Sequence, residues 1–183
     1  NGMPLNMEEA ERLNDAYSKE RIRLRELIRS TIPEVQELEE IKRKKRVKYL
    51  AEKAKPVKER DKEIMKKFKK YADEGGTEYN PSPNSPDNGE VLYKLMGYEL
   101  PFDKEHIKEK AFEDKKESEI TWEDYKADTK GGLPYLIDKY DCELAKLLMG
   151  YSKVTTLWQN FTNKLPKMVG ADGAIHGTFN SEG

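Results

Sequence analysis

The sequence predicts a mainly α fold: long antiparallel helices forming an arm, a small helical tip, and short β segments at both termini. Three observations carry this. Apolar residues recur three or four apart over residues 10–28 and again over 144–165, the spacing of one helix face. Charged residues make up 38% of the 183-residue chain and hydrophobic ones 36%, a balance that suits an elongated helical body with a thin core. Strand-like stretches occur only near the two ends.

Taken in order, Asn1 to Asn6 reads as extended. Asn6 is placed to cap a helix, with Glu9 in capping-box position and acids in the first turn. Ala10, Leu13, Tyr17, Leu24, Leu27 and Ile28 form its stripe, and Pro33 breaks or kinks the pattern. Glu34 to Tyr71 reads as a second long helical stretch, bent at Pro56. Its apolar positions are sparse: Val35, Leu38, Ile41, Val47, Leu50, Val57, Ile64, Met65 and Phe68. Gly75-Gly76 closes it. Tyr79 to Asn88, rich in Pro, Asn and Ser, is a loop.

Ser85 then fits an N-cap with Pro86 at the first helical position, opening a short helix through Glu90–Met96 that Gly97 terminates. Phe102 to Asp128 holds 6 lysines and 10 acids and reads as a helical or irregular surface excursion, with His106 on the surface. Thr129 to Pro134 is a loop, and Tyr135, Leu136, Ile137 and Tyr140 lead into the last long helix. There Leu144, Leu147, Leu148, Tyr151, Val154, Trp158, Phe161 and Leu165 give the stripe, and Pro166 ends it. Residues 169–173 read as a turn and 174–179 as a strand, with His176 packed in it. Pairing of 2–6 with 174–179 is expected.

The net charge of −1 hides a strong asymmetry. Residues 1–40 carry 6 basic and 10 acidic residues, residues 41–70 carry 15 and 4, and residues 71–183 carry 13 and 21. The block Lys42-Arg43-Lys44-Lys45-Arg46, with Lys48, Lys53, Lys55, Lys58, Arg60, Lys62, Lys66, Lys67, Lys69 and Lys70, suits a phosphate backbone. A solvated helix face is the plain alternative. Asn84 and Ser85 stand where a loop could present donors to a phosphate; ordinary capping explains them equally well.

The single cysteine, Cys142, excludes an internal disulfide, fits a reducing cytoplasm, and reads as a buried small residue. No His/Cys cluster has zinc spacing, no glycine-rich phosphate loop is present, and no apolar run is long enough to span a membrane.

Several motifs together resemble family A (DNA polymerase I-like) DNA polymerases. The residues are Tyr151, Leu157, Phe161, Lys164-Leu165-Pro166, Asp172-Gly173, Ile175-His176, Thr178-Phe179 and Asn180, which resemble the segment joining thumb to palm. The opening NGMPLNMEEAERL resembles the segment leading into the thumb, with Asn6 in place of the usual aspartate. Asn84-Ser85-Pro86 resembles the thumb tip, with Gly89 where the family usually has leucine.

The resemblance implies a palm-edge segment at 1–6, a thumb at 7–168 with its tip at 79–97, and the start of a palm strand at 169–183. Residues 34–72 and 102–130 stand as insertions. The chain stops where a Thr-x-Thr-Gly-Arg-Leu motif follows in the family, so a fragment without palm and fingers is expected, inactive alone and holding no cofactor. The parent would be a DNA-directed DNA polymerase, a nucleotidyltransferase using magnesium, of phage type. The implied partner is primer–template duplex, gripped through phosphates and minor groove, with Lys153 and Gln159 on the last helix following the groove. Thr156 and Trp158 stand where the family often has lysines. A monomer with no membrane contact is expected. A non-catalytic helical protein-interaction module, or an arm docking a processivity protein, is the alternative.

Overall fold

In a computed structural model, residues 3–4, 7–160 and 174–175 are described, with side chains over 8–160. The fold is mainly helical, as the spacing predicts. The expected Asn6 cap, the helix end at Pro166, the turn at 169–173 and His176 lie outside the described residues.

The first helix, α1, spans Met7–Thr31, and α2 spans Pro33–Ala54. Between them Ile32 is extended (φ −106°, ψ 105°) and Pro33 opens α2 at a position where its missing N–H costs nothing. Pro33 therefore starts a helix. The last described helix, α7, spans Glu143–Gln159 and packs on α1. Arg21 meets Tyr151, Thr155 and Trp158, whereas Ile28, two turns further along α1, shares the core with Leu144 and Leu148. The two helices consequently run antiparallel. Their outer ends carry β1, Met3–Pro4, and β2, Ala174–Ile175, which pair antiparallel with Met3 opposite Ile175 and Pro4 opposite Ala174.

The stretch expected as one bent helix over 34–71 is divided. Lys55 is extended (ψ 156°), as residues before proline tend to be, and ends α2. A 3₁₀ turn at Val57–Glu59 follows, then α3, Lys62–Phe68. Asp61 caps α3, its carboxylate accepting from the N–H groups of Glu63 and Ile64. Gly75-Gly76 lies within a 3₁₀ turn, Glu74–Thr77, after the helix has already ended.

The tip forms as expected. Ser85 caps α4, Pro86–Gly89, with Pro86 at its start. A π-helical turn continues over Glu90–Leu95, and Gly97 at φ +74° supplies the left-handed stop.

Residues 102–128 are less of a surface excursion than their charge suggests. Around α5, Glu109–Asp114, Ile107 is fully buried, and Trp122, Tyr125 and Ala127 pack against the core. His106 is buried as well, not a surface residue. Its Nδ1 lies 2.7 Å from Asp103 Oδ1 and its ring meets Tyr135 edge-on at 4.9 Å. The helix α6, Gly132–Tyr140, is separate from α7, because Asp141 turns left-handed (φ 50°, ψ 35°) and stops it. Cys142 is buried at the start of α7, as expected.

The core gathers Ile28, Ile32, Val35 and Leu38 from α1–α2, Tyr79 and Val91–Tyr93 from the tip, and Leu133, Leu136, Leu144 and Leu148 from α6–α7. The tip is therefore part of the main core.

Candidate nucleic-acid interface

The five consecutive cations at 42–46 occupy successive directions around α2, since each residue advances about 100° around a helix with 3.6 residues per turn. They separate accordingly. Lys42 points inward with Val35, Leu38 and Tyr49 and is buried. Its Nζ donates to Asp87 Oδ2 at 2.5 Å and to the Glu78 carbonyl at 2.8 Å. Asp87 Oδ2 also accepts from the Asn80 N–H at 2.8 Å. This expected phosphate contact is thus corrected. A buried ammonium with two protein acceptors is a tie between α2 and the tip.

Arg43 and Lys44 project outward, with side chains 57% and 72% exposed, and face acids on their own helix. Arg43 pairs with Glu39 at 3.3 Å and Glu40 at 3.7 Å, and Lys44 lies 3.8 Å from Glu40. Lys45 stacks over the Tyr71 ring at 5.4 Å. Arg46 donates to the Ala72 carbonyl and reaches Glu74 at 3.5 Å. Lys45 and Arg46 therefore bind the segment after α3 to α2 as much as they face solvent.

Behind α2, Glu39 is buried and bridges three groups. Arg29 Nε lies 2.8 Å away, Arg43 3.3 Å, and the Tyr79 N–H donates to it at 2.9 Å. The guanidinium of Arg29 is held further toward its charged form by this carboxylate.

The unengaged cations lie further along. Lys48, Lys53, Lys58, Lys62, Lys66, Lys67 and Lys69 are all exposed, and no hydrogen bond, ion pair or ring contact joins their ammonium groups to another described residue. They run from mid-α2 through α3 to the turn that follows it. The sequence names all of them, but within a block that gives no ground for preferring them to Lys42.

At the tip, Ser85 is buried and its Oγ accepts from the Asp87 N–H at 3.3 Å, so its hydroxyl is engaged in capping. Asn84 is exposed beside it, in a left-handed conformation at φ +64° that asparagine tolerates. Tyr79 donates to Asn88 Oδ1 at 2.6 Å, and burial pushes its phenol far above the usual range. The loop is consequently tethered from beneath, with Asn84 exposed at its surface.

On α7, Lys153 and Gln159 are exposed, and no contact to another described residue engages either side chain. Thr155 is buried and accepts from Arg21 Nε at 3.3 Å. Arg21 lies 4.0 Å over the Trp158 ring, a cation–π seam between α1 and α7 that the sequence pattern does not single out.

Among the described residues no group of three or more His, Cys, Asp or Glu is placed to hold a metal ion, and no helix is long and apolar enough to cross a membrane. The expected nucleic-acid contacts that remain at the surface fall on three elements: the α2–α3 block, the tip at Asn84, and the outer side of α7. No family model, curated protein or solved structure matches the chain.

Proposed function

We propose that this chain is the thumb of a DNA-directed DNA polymerase resembling family A, gripping primer–template duplex. The observation that carries the reading is the row of seven exposed, unengaged lysines from Lys48 to Lys69. Cations that satisfy no protein acid retain their full attraction for phosphate, the main source of non-specific duplex affinity. Lys153, Gln159 and Asn84 add the contacts that the family resemblance implies. The antiparallel pairing of β1 with β2 supports it further, since a thumb leaves and re-enters the palm at adjacent points. Catalysis would belong to carboxylates and magnesium in the parent's palm, outside this chain. Here the chemistry is recognition.

The test is binding of a labelled primer–template duplex, followed by anisotropy across a salt series. Log affinity should fall linearly with log salt, by about 0.9 for each phosphate contacted. Binding that ignores salt, or no duplex binding at 50 mM salt, overturns the reading. Extension of primer by the chain alone, given nucleotides and magnesium, would also overturn it.

A second reading has its own observation. Val47, Leu50, Ala51 and Ala54 line the outward side of α2 at helical spacing and are exposed, and Val57, 75% exposed, follows. An apolar stripe rimmed by lysines fits an acidic amphipathic protein segment better than it fits phosphates. Such an arm docks a protein, a processivity protein among the candidates. A variant carrying Val47→Ser and Leu50→Ser separates the readings: duplex binding is retained under the first, and partner binding is lost under the second.

A further inference from the structure

An open cleft of about 670 Å³ lies between the tip, at Asn84–Pro86 and Gly89, and residues 122–128, which pass from a 3₁₀ turn at Trp122–Asp124 into irregular chain. Of its lining, the readings above use Asn84 alone.

One wall of this cleft carries an isolated β-bridge. Ile107 and Tyr125 form an antiparallel bridge. Its hydrogen bonds run from the Lys108 N–H to the Asp124 carbonyl and from the Lys126 N–H to the His106 carbonyl, at 2.9 and 2.8 Å. Bonds that flank a pair in this way mark the non-hydrogen-bonded type, so the N–H and C=O of Tyr125 itself point away from its partner. Along an extended chain Ala127 presents its own groups to the same side. The Tyr125 N–H is turned back into the 3₁₀ turn at Trp122–Asp124, whereas among the described residues no backbone bond outside the helices uses the C=O of Tyr125 or the N–H or C=O of Ala127, and both residues line the cleft.

Gly89 lines the opposite wall. Gly89 is helical (φ −66°, ψ −41°), so its backbone does not require glycine. A Cβ built there meets only Tyr93 Cδ2 at 3.8 Å. The missing side chain leaves space in the cleft and does little else.

The charges select an occupant. Lys108 and Lys126 donate their ammonium groups to the Glu123 and Lys104 carbonyls at 2.5 and 2.6 Å. Asp124 is bound by Lys115 at 2.7 Å, and Asp128 caps α6 through the N–H of Gly131 at 2.8 Å. The side-chain carboxylate of Glu123 is exposed and has no partner among the described residues. Beside it lies the half-buried Trp122 ring, which already holds one ammonium, from Lys94, at 5.2 Å.

We propose that this cleft binds an extended peptide segment carrying a basic residue, which adds as a strand along Tyr125 and Ala127 and places its cation against Glu123 and Trp122. The proposal does not depend on DNA binding. Strand addition draws affinity from main-chain hydrogen bonds and selectivity from alternate side chains. The site supplies both elements.

The experiment selects a displayed library of eight-residue peptides on the chain, counter-selected on Gly89→Leu. Hits are titrated into a Trp158→Phe background, where Trp122 is the sole tryptophan reporter. The expected result is saturable change in Trp122 emission by peptides enriched in Lys or Arg. Affinity should fall at least tenfold in Gly89→Leu and in Glu123→Gln. N-methylation along a hit peptide should abolish binding at alternate positions, the period-two signature of strand pairing. Charge reversal at Lys48 and Lys53, which tests DNA binding, should leave peptide affinity unchanged. A library yielding no peptide that prefers the native chain over Gly89→Leu overturns the proposal. So does a hit whose binding survives N-methylation at every position, even if Gly89→Leu proves unfolded.

Discussion

Lys42 of α2 and Asp87 of the tip meet in a buried ion pair, Nζ to Oδ2 at 2.5 Å, with the Glu78 carbonyl as second acceptor. The pair joins segments far apart in sequence where both side chains are largely shielded from solvent, 6% and 13% exposed. A buried pair of this kind adds little net stability but is costly to break, because the surviving charge is stranded. Lys42→Ala or Asp87→Ala should each cost about 3 kcal/mol. The double variant should cost clearly less than the sum, with coupling of about 1 kcal/mol or more. Urea unfolding of the four proteins measures this, and additive losses would refute the tie.

Lys42 also shows where the sequence was legible and where it was not. The helices, the Ser85 cap, the Gly97 stop and the buried Cys142 follow from spacing and local backbone chemistry. Which cations face solvent does not follow from a run of lysines. It depends on helical phase: 35, 38, 42 and 49 share one face, and both Lys42 and Tyr49 were absent from the apolar stripe. His106 was similarly illegible. It is buried by Tyr135 and by Asp103, whose placement depends on the long-range bridge between Ile107 and Tyr125. The break at Lys55 was half visible, since Pro56 marks the place but not whether the helix bends or stops.

If the seven unengaged lysines grip duplex, reversing their charge should act in proportion to the phosphates they hold. Lys48→Glu with Lys53→Glu, and Lys66→Glu with Lys67→Glu, should each weaken duplex binding at least tenfold. Each variant should also flatten the salt dependence by about 0.9 for every phosphate it releases. Lys42→Met, which removes an inward cation, should leave the salt slope unchanged. Equal effects from inward and outward lysines would defeat the assignment.

Two glycines should respond with opposite signs. A Cβ at Gly132 would sit 1.8 Å from the Lys126 carbonyl oxygen, a backbone atom that cannot swing aside. Gly132→Ala should therefore cost about 2 kcal/mol or more through overpacking. Gly150, inside α7, has nothing within 4 Å of such a Cβ. Gly150→Ala should stabilise by about 0.5–1 kcal/mol, as alanine restricts the unfolded chain and favours helix. Thermal melts of the two variants report both signs, and a stabilised Gly132→Ala would show that 126 and 132 are not in contact.

The joint between α2 and α3 should loosen in acid. Glu52 on α2 accepts from Lys55 Nζ at 2.9 Å and from the Asp61 N–H at 2.6 Å. The hydrogen bond from Lys55, then that from Asp61, hold its carboxyl below the ordinary value of 4.5. A depressed carboxyl stabilises the folded state above the unfolded value, and that contribution disappears as pH falls through the lowered folded value. Protection of the Asp61 amide from hydrogen exchange, corrected for intrinsic rate, should thus be constant from neutral pH down to about pH 5 and decline below it. In Glu52→Gln the decline should vanish, because glutamine does not titrate. Since α3 carries Lys62, Lys66 and Lys67, the same loosening should lower duplex affinity in acid for the native chain relative to Glu52→Gln. Amide protection in the native chain that stays flat to about pH 3, below the ordinary carboxylate range, would show that Glu52 does not hold the joint.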